Sequence, residues 1–169
     1  MRGKSPALVS AVVTACACAM VPALSAQAPA LDACSVLTRE EIKTLSGKDP
    51  GPPDPSSPGA NTTCRWSDGG PPTGRVALYS TVDPKEPKGL ALKQLLDRGR
   101  DARAVDDLGD DAVFLVDEDD TPSGTVFMRV GHWRVVITRD ADPGATAVST
   151  LPTLTALAKA AIPKLRRAG

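Results

Sequence analysis

Two alternating segments joined by Gly131-His132 constrain this chain more tightly than any other stretch of its sequence. Glycine followed by an ordinary residue suits the two-residue type II′ hairpin turn, whose twist matches that of the strands it joins. With that turn set, Val130 faces Trp133, Met128 faces Val135 and Val126 faces Ile137. Side chains alternate across a strand, so this side is wholly apolar and must face a core, while Phe127 with Val136 and Arg129 with Arg134 go to the other. A slip of one residue would turn the whole apolar set to water, which specifies the register strongly. Residues 112–116 read as a preceding strand, joined through the acidic turn at 117–124, and the three strands make an antiparallel meander.

The rest of the chain supplies elements to pack against it. Thr38 with Glu41 three residues on forms a capping box, flanked by Leu37 and Ile42 as a hydrophobic staple, so a short helix starts there and stops at Gly47. Residues 63–67 and 75–82 read as strands separated by a glycine- and proline-rich turn. Leu90, Leu92, Leu95 and Leu96 fall near helical spacing and predict a second helix over 89–98. A last helix is expected from Asp142-Pro143 onward, with Leu151, Leu154, Leu157, Ala161, Ile162 and Leu165 on its buried face, a break or new start near Pro152 and a kink near Pro163. The order α-β-β-α-β-β-β-α predicts an α+β fold, a mainly antiparallel sheet of about five strands with flanking helices.

The N-terminus points to export. Arg2 and Lys4 precede a stretch from Ala7 to Leu24 without a charged residue, and small residues crowd its end, the pattern of a secretory signal. Cleavage after Ala26 gives a signal peptide over 1–26 and a single globular domain over 27–169 beginning at Gln27. Val13-Thr14-Ala15-Cys16 also loosely matches the lipobox of bacterial lipoproteins, so a lipid anchor on Cys16 is the alternative route, and membrane attachment is expected only by that route.

Removing the leader takes Cys16 and Cys18 with it and leaves Cys34 and Cys64, an even pair in a chain addressed to an oxidising compartment, which predicts a disulfide. Between them lies a proline-rich loop at 48–62 with almost nothing to bury. Closing a loop of that size stabilises a fold by roughly 3–4 kcal/mol on the chain-entropy model.

Removing Arg2 and Lys4 also leaves 18 basic residues against 20 acidic ones. So near neutrality, the chain offers no basic stripe for nucleic acid. No phosphate loop, dinucleotide fingerprint, nucleophile elbow or zinc pattern occurs, and no catalytic residue, metal ligand or cofactor is assigned. The acidic run Asp117-Glu118-Asp119-Asp120 lacks the ligand spacing of a calcium loop and reads as a solvated turn, as do Asp106, Asp107, Asp110 and Asp111 around Gly109. His132, the single histidine, falls at a hairpin tip.

Three short motifs recur together in a known type of protein: Ala33-Cys34-Ser35-Val36-Leu37-Thr38-Arg39-Glu40-Glu41, Cys64-Arg65-Trp66 and Leu108-Gly109-Asp110-Asp111-Ala112. Through them the chain resembles the secreted proteins and lipoproteins of unknown function from high-GC bacteria, best known from actinobacteria. The resemblance implies an envelope-exposed α+β domain bridged from Cys34 to Cys64, and it brings no catalytic residues.

The resulting expectation is an exported cell-envelope or extracellular domain that binds a ligand or an envelope protein without catalysis; the alternative is a secreted hydrolase in which Asp110 or Asp111 works with His132. Arg129 and Arg134 face each other on the ladder, and like charges so placed call for a counter-charge. Residues 117–120, Asp97 or Asp101 are its expected source. A recognition patch of Arg129, Arg134, Phe127 and Val136 for an anionic group is the sharper reading, because guanidinium forks match carboxylate and phosphate geometry.

Overall fold

The computed structural model describes residues 31–56, 61–67, 74–79, 94, 101–118 and 121–169. The expected signal peptide and the expected helix over 89–98 lie outside them, apart from Gln94, which is helical. The chain begins with a one-turn helix α1 (Ala33–Val36) and then α2 (Arg39–Ser46). Seven strands follow among the described residues: β1 (Asp54–Ser56), β2 (Asn61–Trp66), β3 (Gly74–Tyr79), β4 (Ala102–Ala104), β5 (Asp111–Asp117), β6 (Ser123–Val130) and β7 (Trp133–Asp140). A 3-10 turn (Ala147–Thr150) leads into the closing helix α3 (Leu151–Ala168).

The fold is α+β, and every strand pairing is antiparallel in one sheet of order β1-β2-β3-β7-β6-β5-β4. The sheet has seven strands instead of the expected five or so. The two additional strands are three-residue edges, β1 and β4, too short to show an alternating pattern. β1 rises out of the proline-rich loop: all three of its residues are exposed, and it is held by pairing with β2 through Pro55 opposite Cys64. Proline fits there because an edge strand can do without one outward N–H.

The hairpin has the expected register, with Val126 opposite Ile137, Met128 opposite Val135, Arg129 opposite Arg134 and Val130 opposite Trp133. Gly131 has φ 60°, and His132 stays at negative φ, as a type II′ turn requires. The apolar side of this ladder joins Phe114, Ala112, Trp66 and Cys64 in the core. α3 crosses β6 and β7 on that side and buries Leu154, Leu157, Ala158, Ala161, Ile162 and Leu165.

The capping box at Thr38 is complete, with the Thr38 hydroxyl accepting from Glu41 N–H and the Glu41 carboxylate accepting from Thr38 N–H, and Gly47 ends α2 in the left-handed conformation at φ 71°. Glu41 does more than cap. Its carboxylate also meets Lys164 Nζ at 2.6 Å, tying α2 to α3 across 123 residues of sequence. Burial pushes the Glu41 carboxyl up, but the bonds from Lys164 and Thr38 outweigh it and hold it below its ordinary value.

The last helix begins at Leu151, at the expected new start near Pro152 and not at Asp142-Pro143, and Pro152 falls in its first turn, where a missing N–H costs nothing. Asp142 instead forms ion pairs with Lys48 and Arg139, and the Lys48 ammonium holds its carboxyl below the usual range. Pro163 lies within one continuous helix.

Cys34 and Cys64 are joined, with their Cα atoms 5.0 Å apart. The bridge fastens α1 to β2, and the Thr62 hydroxyl adds a hydrogen bond to the Leu31 carbonyl at 2.9 Å.

Candidate functional site

The acidic glycine turn between β4 and β5 folds over the tip of the β6–β7 hairpin. Leu108 anchors it in the core. Asp107 and Gly109 both take positive φ, 62° and 67°, which turns the backbone sharply enough to lay it on β6. An added Cβ at Gly109 would lie 2.3 Å from the Arg129 carbonyl oxygen, so only glycine permits the approach. The next residue completes a clamp: Asp110 N–H donates to the Arg129 carbonyl at 2.7 Å, and Gly131 N–H donates to Asp110 Oδ2 at 2.8 Å.

This gives Leu108-Gly109-Asp110 a structural role. Asp110 and His132 do come to one turn, as the hydrolase alternative requires, but both are exposed and the Asp110 carboxylate is engaged by the turn's own backbone. His132 leans on buried Trp133 with ring centroids 4.5 Å apart, and Gly169, after α3, packs against it.

The arginine pair sits in a row. Asp111 is opposite Arg129 in β5, Arg129 opposite Arg134 in β7, and Arg134 opposite Tyr79 in β3. The acid that the register places beside the arginines is therefore Asp111, whereas Asp101 pairs with Arg103 at 3.6 Å and Asp97, Asp119 and Asp120 lie outside the described residues. Neither arginine is without an interaction inside the chain. Arg134 is exposed, Arg129 and Phe127 are half-buried, and Val136 is only 6% exposed. A patch at this site consequently offers Arg134 first, Arg129 and the Phe127 ring second, and almost nothing of Val136.

The acidic turn after β5 also has a structural partner. Glu118 Oε1 accepts the Ala147 N–H at 3.0 Å and so caps the 3-10 turn before α3. Among the described residues no three histidine, cysteine, aspartate or glutamate side chains come together as metal ligands. No helix among them is long and apolar enough to cross a membrane.

No family model, curated protein or solved structure matches this chain. The likeness to secreted proteins of high-GC bacteria thus rests on the three motifs alone.

Proposed function

We propose that this is an exported binding domain of the cell envelope, which uses the clamped β6–β7 tip to contact an anionic group on a ligand or envelope protein. One observation carries the reading. The tip that displays Arg134 and His132 is held by the Gly109 approach and by two hydrogen bonds through Asp110, so its exposed side chains stand on a frame that does not have to be ordered on binding. Preorganisation of that kind lowers the entropic cost of association. A guanidinium at the front of the tip suits carboxylate or phosphate recognition. The disulfide and the leader support an oxidising, extracytoplasmic setting.

The test is charge reversal. A photo-crosslinking residue at His132 in the native host should yield one discrete cross-linked product, and Arg134→Glu should abolish it while the protein still unfolds cooperatively. A product of unchanged yield in Arg134→Glu removes the tip from the binding surface.

A further inference from the structure

The two halves of the disulfide occupy unlike places. Cys64 sits in the middle of β2, opposite Pro55 of β1 and Val76 of β3, and is 0% exposed within the core. Cys34 is half-buried in the single turn of α1, at the margin of the same core. Thiol–disulfide exchange proceeds by attack of a thiolate on one of the two sulfurs, and access helps to decide which. Of the two bridge residues only Cys34 has surface exposed to solvent, whereas Cys64 has none.

From this asymmetry we infer that Cys34 is a modification site for small exported or environmental thiols. The incoming thiolate attacks Cys34 Sγ and the Cys34–Cys64 bond breaks. Cys34 then carries a mixed disulfide, and Cys64 leaves as a thiolate that takes up a proton. Both electrons come from the incoming thiol, so no further reductant is involved.

The surroundings let this happen on the folded domain. Val36 and Leu37 stay buried beside the bridge, and the bond from the Thr62 hydroxyl to the Leu31 carbonyl does not depend on it. α1 therefore keeps its seat on β2 when the bond opens. The released Cys64 lies next to the adduct, with the two Cα atoms 5.0 Å apart in the bridge, and can attack back to restore it, so acid must trap the mixed disulfide at early times.

The experiment exposes the disulfide-bonded protein to reduced glutathione under native conditions, quenches early time points with acid, and maps the peptides by mass spectrometry. Glutathione should appear on the Cys34 peptide, with Cys64 as the free thiol, unreactive toward iodoacetamide until denaturant is added. The rate should be insensitive to urea well below the unfolding midpoint. Adduct on Cys64, an equal mixture, no adduct, or a rate that tracks global unfolding would each overturn the assignment. The readout is on the native chain, so it does not depend on a cysteine variant folding.

Discussion

Replacing Gly124 by alanine tests the packing of α3 on the sheet at its tightest point. An alanine Cβ there would lie 1.9 Å from Thr150 Oγ1, 2.7 Å from Phe114 Cε2 and 3.0 Å from Leu154 Cδ1. None of these can step aside freely, since all three residues are 0% exposed. The Thr150 hydroxyl is in addition committed to the Ala147 carbonyl at 2.7 Å. Overpacking of this kind costs about 1–3 kcal/mol, and displacing a buried hydrogen bond adds about 1 kcal/mol, so Gly124→Ala should lose about 3 kcal/mol. With a urea slope of about 2 kcal/mol/M, the unfolding midpoint falls by about 1.5 M when the disulfide is kept intact. Thr150→Ala removes the atom in closest conflict, so the double variant should be more stable than the sum of the two single losses implies. Midpoints for Gly124→Ala within about 0.3 M of the parent, or additivity within about 0.5 kcal/mol, would refute the reasoning.

Asp110→Ala should cost about 1 kcal/mol by freeing the Gly131 N–H, and amide exchange at Gly131 should quicken more than elsewhere in the hairpin. Gly109→Ala should be the harsher change at the same clamp, losing more than about 1 kcal/mol in the same titration, because it combines positive φ with a carbonyl in its way. Glu41 has a depressed pKa in the folded chain, so its contribution is fully present above its ordinary value of 4.5 and is lost as pH falls through the lower folded value. Lys164→Met should therefore flatten the acid limb of the stability curve, measured by thermal unfolding between neutral and acidic pH. Replacing both Cys34 and Cys64 by serine should lower stability by roughly 3–4 kcal/mol on the loop-entropy model.

The hairpin and the capping box were legible because each is a local rule with one solution. Gly131 sets a turn, the turn sets a register, and the apolar alternation admits only one face to the core. The α2 box needs four consecutive residues and no distant partner. The features without a local signal depend on contacts remote in sequence. β1 and β4 are short, largely exposed edges whose pairing is decided by β2 and β5, not by their own side chains. Asp142-Pro143 has the composition of a helix start, yet Lys48 and Arg139 draw its carboxylate into ion pairs and the helix begins at Leu151. The cap on the 3-10 turn that leads into that helix comes from Glu118, 29 residues before Ala147.

At the candidate site, the facing of Arg129 and Arg134 followed from the turn, but the role of Asp110 did not. A glycine flanked by acids between two strands was the available signal. Read as a tight approach of backbone to backbone, it points to a clamp; read as composition, it is only an acidic turn. Val136 shows the converse limit, because alternation places it beside Phe127 without telling that the position is buried.

Export of an oxidised, processed chain is the premise on which the binding role and the thiol chemistry both stand, and intact-mass analysis of the protein recovered from its native host tests it most directly. The expected product is a chain that starts at Gln27 and is lighter by two hydrogens than its reduced form, found outside the cytoplasm. A full-length chain beginning at Met1, held in the cytoplasm with Cys34 and Cys64 as free thiols, would contradict it.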